Sequence, residues 1–325
     1  MSILSFIYRK SLLPADDHRL LPKLRAKIFR LIRRFILRFS DPPCRMEIWG
    51  RQLWMPFSHE RPAHLCAPGY YDQLMGRVAD FIRLRKGRIC GIDVGANIGD
   101  TIAACRVRKE DQFLAVEPSP VFFEYLNRNL VDFSNVRQLK VGCAARDSSP
   151  NEGSGMEVRR VDTLVEQFPE FRDCNLLKVD TDGYDFEVLR GAQKLIARAQ
   201  PVVLFECQMW NNENYLKDVL ETFQLFAVAG YSHALVYDNL GYLCGPLDLK
   251  NPQGIPPALF YELSSARCYF DVLIMPEVGL FLQQEFEFFL KGIRDPRWHT
   301  AAEQAARKVV ADCGLGGVRQ ASEPG

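Results

Sequence analysis

From residue 88 onward, short apolar runs of strand length alternate with stretches of helical period. "RICGIDV" precedes a helical stretch at 97–108, "QFLAVEP" precedes "SPVFFEYLNRNLVDF", and "VRQLKVGCAA" precedes "VDTLVEQF". "NLLKVDT" precedes "DFEVLRGAQKLIARA", and "PVVLFEC" precedes "NENYLKDVLETFQLFAVAG". The runs are nearly continuous in Val, Ile, Leu and Phe, as in strands buried on both faces. Five such β–α repeats predict a parallel sheet with helices on both sides. The alternation then stops. "HALVYDN" and "YFDVLIMP" read as strands joined by residues 240–267, where Pro and Gly predict a loop and no helix. Two late strands without a crossover helix predict an antiparallel end to the sheet. The expected fold class is α/β, a doubly wound, mostly parallel sheet.

The first 44 residues follow another pattern. Leu24, Ile28, Leu31, Ile32, Phe35 and Phe39 fall on one face of a helix, and Lys23, Lys27, Arg30, Arg34 and Arg38 on a neighbouring face. "DPP" at 41–43 stops it. Residues 45–87 read as a lead-in, with a hairpin, a loop and an amphipathic helix from about Tyr70 to Arg85, ended by Gly87. Residues 88–290 form the main domain, and 291–325 a last helix and a flexible tail.

Charge sharpens this division. The chain carries a net +1, but residues 1–40 hold ten Lys/Arg against two Asp/Glu, whereas the remainder holds 31 against 38. A mildly acidic body therefore carries a basic amphipathic arm. Residues 22–39 are expected either to lie on an anionic membrane surface or to pack on the main domain with a solvated basic side. No nucleic acid is expected, because the arm lacks the aromatic and basic interleaving of a single-strand binder. Ten cysteines without a C-x-x-C or a Cys/His spacing argue against zinc and for reduced thiols. No secretory signal or transmembrane run is seen, so the expected location is cytoplasmic, with peripheral attachment to the inner face of a membrane through the arm.

In a doubly wound sheet, ligands bind at the carboxyl ends of the strands. The first strand ends at Asp93, followed by Gly95-Ala96-Asn97-Ile98-Gly99. This G-x-x-x-G is neither a dinucleotide fingerprint nor a Walker loop. Asp93 and Asp100 flank it and disfavour a phosphate while suiting a cationic ligand. Glu117, at the next strand tip, is placed to accept hydrogen bonds from two ribose hydroxyls. A nucleoside with a cationic tail and no phosphate is S-adenosylmethionine.

"IDVGANIGDT", "AVEPSPVFFEYLNRNL", "LLKVDTDGYDFEVLRGA" and "PVVLFE", in this order, resemble the FkbM-type family of S-adenosylmethionine-dependent methyltransferases. The resemblance covers roughly residues 45–275. It implies a class I methyltransferase (Rossmann-like) fold and methylation of hydroxyls on sugars or natural products. It also implies that Asp93, Gly95, Asn97 and Gly99 line the methionine end, with Ala96, Asp100 and Thr101 in the same loop. Glu117 would then take the ribose, and Cys143 and Ala144 would lie beside the adenine. One departure stands out. Where the family has D-V-E-G-x-E, this chain has Asp180-Thr181-Asp182-Gly183-Tyr184-Asp185, with both glutamates shortened to aspartate.

Methyl transfer to a hydroxyl is helped by a general base. Asp180 and Glu206, on neighbouring strand tips, are the candidates, and His233 is a third. Lys178, two before Asp180, shares its side of the strand as a possible ion partner. Asp180, Asp182 and Glu206 also form a set that Mg²⁺ could use, although Asp182 as a helix cap explains its position equally, and no metal is assigned. The acceptor is expected at the loop from Leu240 to Arg267. The expected activity is O-methylation of a sugar hydroxyl on a glycan or glycolipid precursor. Methylation of another small molecule at O or N is the alternative, and a degenerate binding module the third reading.

Overall fold

Strand formation follows the apolar runs. In the computed structural model, which describes residues 2–12, 20–66, 69–150, 155–210, 212–265 and 269–315, the strands are β1 (Pro43–Ile48), β2 (Arg51–Pro56), β3 (Cys90–Val94), β4 (Gln112–Val116), β5 (Val136–Leu139), β6 (Gly142–Cys143), β7 (Val158–Arg159), β8 (Leu176–Val179), β9 (Val202–Cys207), β10 (His233–Asp238), β11 (Leu243–Asp248) and β12 (Phe270–Ile274). The main sheet has the order β11-β10-β12-β9-β8-β3-β4-β5. From β5 across to β9 all pairings are parallel, β12 runs antiparallel to both β9 and β10, and β11 closes the edge antiparallel to β10. This is the class I methyltransferase order with one extra edge strand, and the expected antiparallel end is present.

The sheet is buried on both faces because its strands carry large apolar residues on both. Cys90, Ile92 and Val94 of β3 pack into one helical layer, while Phe113 and Ala115 of β4 belong to the other. Buried ion pairs fasten the second layer. Arg77 reaches Glu285 with two hydrogen bonds of 2.6 and 2.8 Å, and Tyr237 donates to the same carboxylate at 2.8 Å. Arg83 pairs with Asp111, which also accepts from the amides of Ile89 and Arg108.

Several boundaries differ from expectation. The helical stretch at 97–108 forms helix only over Asp100–Ala104, because Asn97 and Gly99 both adopt positive φ (47° and 87°). The third strand stops at Leu139, and Gly142–Cys143 instead pairs with Val158–Arg159 in a separate two-stranded sheet. The single helix expected over 185–199 is two, Asp185–Arg190 and Gln193–Ala199. Gly191 lies at the break, where a Cβ would stand 2.2 Å from the Ala144 carbonyl oxygen. The loop between the late strands holds β11 and a helix, Ile255–Ser265, that the sequence reading missed. Pro256 and Pro257 suggested a loop, but they occupy the first helical turn, where proline is tolerated. Ile255, Leu259 and Glu262 form the buried face of that helix. The lead-in helix is Leu74–Lys86, capped by Gly87 as expected, and the last helix is Pro296–Asp312. The expected flexible tail lies outside the described residues beyond 315. Cys44, Cys90, Cys105, Cys174 and Cys207 are buried free thiols, and Cys244 is exposed.

One glycine fixes the sheet's central junction. The amides of Gly95 and Ala96 both donate to the Val116 carbonyl, at 2.9 and 3.0 Å, turning the chain sharply off β3. Gly95 has φ 83°, and a Cβ there would lie 1.7 Å from the Asp180 carbonyl oxygen. Gly95→Ala is therefore expected to destabilise the fold by more than about 3 kcal/mol, read as a lower denaturation midpoint.

Candidate functional site

Strand order reverses between β3 and β8, so the loops after them diverge and leave a crevice at their carboxyl ends. A cavity of about 820 Å³ occupies it. The loop after β3 contributes Gly95, Asn97 and Asp100; the tip of β4 contributes Glu117, Pro118 and Ser119. Gly142, Cys143, Ala144, Met156 and Val158 form an apolar wall from β6 and β7. The tips of β8 and β9 supply Lys178, Asp180, Asp182, Glu206, Gln208 and Trp210, and the lead-in supplies His59, Arg61, His64 and Tyr71.

Glu117 is held by its neighbours. Its two carboxylate oxygens accept from the amides of Asn97 and Ser119, each at 2.8 Å. Burial raises its pKa while these two amides oppose the rise. His59 lines the same region, its Nε2 3.0 Å from Asn97 Oδ1 and its ring edge-on to Phe122. Burial lowers the His59 pKa, against the opposing Asn97 hydrogen bond.

Beneath the crevice lies a crowd of charges. Lys178 sits 2.9 Å from Asp180 Oδ2 and 3.8 Å from Asp93 Oδ1. Burial favours its neutral amine, but Asp180 and Asp93 outweigh this and hold its pKa above the usual value. Asp93 is fully buried, and burial pushes it up to about 6 against the pull of Lys178 and a Thr101 hydrogen bond. Asp100 is also buried, but Arg61, then Lys178, overcome the burial and hold it below the usual range. Arg61 also pairs with Asp72. Glu206 and Asp271 are direct partners across the antiparallel β9–β12 ladder. Burial and then the Asp180 and Asp271 charges push Glu206 up to about 10, and burial with Asp72 and Asp180 pushes Asp271 up to about 8.

A family comparison bears directly on this geometry. The family model described as the methyltransferase FkbM domain matches residues 135–233, a stretch that includes β8, β9 and the loops bearing Asp180 and Glu206. The resemblance to the FkbM-type family is thereby borne out. No curated protein matches the chain at a significant level. Among solved structures, the FkbM methyltransferase of Methylobacillus flagellatus KT is similar at 18% identity and a TM-score of 0.36, over 44% of this chain and 38% of that one. The precorrin-6y C5,15-methyltransferase of Geobacter metallireducens GS-15 is similar at 13% identity and a TM-score of 0.36, over 62% and 87%. Both likenesses are loose, and the fold rests on the strand order itself.

The structure brings together Gly95, Asn97, Asp100, Glu117, Cys143, Ala144, Asp180 and Glu206 on the cavity wall. Asp93, Ala96, Gly99 and Thr101 do not line it. They are buried or turn-forming residues behind the loop, and Asp93 lies 3.8 Å from Lys178, which does line the cavity. His233 is placed elsewhere: it opens β10, opposite Asp248, and β10 runs in the direction of β9, so His233 lies at the far edge of the sheet from the strand tips. It is no base for this site. Asp182 does not cap the helix at 185; Asp185 does the local work, accepting from Thr181 N and Oγ1 at 3.2 and 2.9 Å. None of residues 240–265 lines the main cavity, and only Gly241 reaches the small adjoining one; residues 266–268 lie outside the described residues. Aromatic residues from the lead-in and the β9 tip stand where that loop was expected.

Asp180, Asp182 and Glu206 bring carboxylate oxygens within 4.8 Å of one another, a set that would offer oxygen ligands to Mg²⁺. Lys178 lies 2.9 Å from Asp180, and burial with the neighbouring carboxylates raises the Glu206 pKa. The shift of Glu206 has a sign that stability measurements can read. A carboxyl with its folded pKa above the ordinary 4.5 binds more protons folded than unfolded, so its contribution falls as pH rises from there toward about 10. Glu206→Gln is expected to melt higher than wild type at pH 8, with the difference shrinking toward pH 4.5. A constant difference across that range would show that Glu206 is ordinarily ionised.

Proposed function

We propose that this protein is an S-adenosylmethionine-dependent methyltransferase that methylates a sugar hydroxyl of a glycan or glycolipid precursor. The observation that carries the reading is Glu117 at the rim of the crevice, its carboxylate fixed by two backbone amides with further lone pairs open to the cavity. A carboxylate so fixed suits a ribose diol, since an ionised acceptor bonds both hydroxyls strongly. The apolar wall of Cys143, Met156 and Val158 suits a flat base. The donor set therefore fits the nucleoside and amino-acid ends of S-adenosylmethionine, which when bound supplies an electrophilic methyl group.

The other half of the cavity supports the acceptor class. Tyr71, Tyr184, Trp210 and Tyr269 line it, with the Trp210 and Tyr269 rings 5.5 Å apart in an edge-on corner. Apolar ring faces beside carboxyl groups match a sugar, which presents C–H faces and hydroxyl edges. Asp180 is the base in this reading. It stands on the wall at the tip of β8, next to β3, and Lys178 holds it in place. Glu206, carrying a proton at neutral pH, cannot take another; it donates a hydrogen bond and orients the acceptor. Positioning the hydroxyl against the methyl donor supplies much of the rate, and proton removal adds to it.

Calorimetry with S-adenosylhomocysteine tests the binding assignment. Wild type is expected to bind, and Glu117→Ala to lose on the order of 2–4 kcal/mol. Equal affinity in both proteins would remove the ribose assignment. With a sugar acceptor, Asp180→Asn is expected to lower turnover about 10²- to 10⁴-fold with little change in cofactor affinity. Activity is expected to survive EDTA; loss on chelation would instead assign the carboxylate trio to a metal.

A further inference from the structure

The helix Leu20–Leu37 has three faces, and only one packs on the other described residues. On the inner face Ala26 is buried, and Arg33 donates to the carbonyls of Phe57 and Ser58 at 3.0 and 2.8 Å while lying 4.2 Å over the Tyr8 ring. A second face carries Leu20, Leu24, Ile28, Leu31, Phe35 and, just past the helix, Phe39, all exposed, from 48% at Ile28 to 83% at Leu20. Beside it run Lys23, Lys27, Arg30, Arg34 and Arg38, also exposed. Among the described residues none of these five pairs with a carboxylate. No helix of the described residues is long and apolar enough to cross a membrane.

We propose that this helix lies on the surface of an anionic lipid bilayer. The two unused faces ask for different surroundings at once. The apolar stripe needs hydrocarbon, and the cationic stripe along its flank needs anions; the headgroup boundary of an anionic bilayer offers both at this spacing. A polyanion in water would leave the apolar stripe wet. A second copy seated on the same stripe would bring ten like charges together. The seat is rigid, because Arg33 clamps the helix onto residues 57–59, and Tyr8 donates to the carbonyl of His59, whose ring lines the cavity. A bilayer beneath the helix thus lies one short segment from the cavity wall. The proposal stands apart from the methyl-transfer reading, since the two exposed faces of the helix hold none of the site residues.

Sedimentation of the full chain with vesicles tests it. Binding is expected to phosphatidylcholine vesicles containing roughly 30% phosphatidylglycerol, about tenfold weaker to phosphatidylcholine alone, and weakened again as salt rises toward about 0.5 M. The pair Leu24→Ser and Phe35→Ser is expected to weaken binding about tenfold with an unchanged thermal midpoint, both side chains being exposed. Lys27→Glu with Arg34→Glu is expected to abolish the preference for the anionic lipid. Binding that ignores lipid charge, or that survives both variants, would overturn the proposal. So would a concentration-dependent dimer that the Ser pair dissolves, since a second copy would then cover the stripe.

Discussion

The arrangement depends on one buried ammonium. Lys178 comes up β8 beneath the crevice, between Asp93 on β3 and Asp180 at its own strand tip. Without it two carboxyls would face each other in a dry junction, where like charges repel strongly. The cluster around it holds Asp72, Asp93, Asp100, Asp180, Glu206 and Asp271 against two cations, Lys178 and Arg61. Burial and the neighbouring carboxylates oppose ionisation wherever no cation outweighs them. The upward shifts of Glu206, Asp271 and Asp93, beside the downward shift of Asp100 next to Arg61, follow that logic. The site is thereby sorted into carboxyls whose pKa is raised, Glu206, Asp271 and Asp93, and one, Asp100, that Arg61 holds below the usual range.

This sorting could not be read along the chain. The strand tips were legible, because continuous apolar runs ending in Asp93, Glu117, Asp180 and Glu206 mark parallel strands and their carboxyl ends. So was the turn at Gly95, since a G-x-x-x-G after such a run implies close backbone approach. What escaped were contacts made by sequence-distant pieces. Arg61 reaches Asp100 from a lead-in segment with no motif of its own, and Asp271 meets Glu206 only through an antiparallel ladder formed late in the chain. Asp93 and Asp100, read as bare charges suited to a cationic ligand, turn out to face Lys178 and Arg61. The same blindness placed His233 among the bases: a strand's identity was visible, but which of its ends faces the crevice depends on its direction in the finished sheet. The helix at Ile255–Ser265 was hidden by local chemistry, its two prolines being helix-starting rather than helix-ending.

The departure from the family's D-V-E-G-x-E pattern has a structural reason on the same terms. Asp182 takes φ 51°, a left-handed conformation that aspartate tolerates better than a longer side chain does. Asp185 is buried, and its carboxyl closes the loop from within, accepting from Thr181 and from the amide of Glu206 at 3.3 Å. Those bonds span the tips of β8 and β9 and fix the separation of the two strands' terminal carboxyls. A glutamate at 185 would carry its oxygens past these amides by a methylene, toward the cavity. In this chain the shorter residue serves the scaffold. The loop after β8 is therefore held from within by Asp185, while Asp180 has Lys178 at 2.9 Å and Glu206 faces Asp271 across the antiparallel ladder.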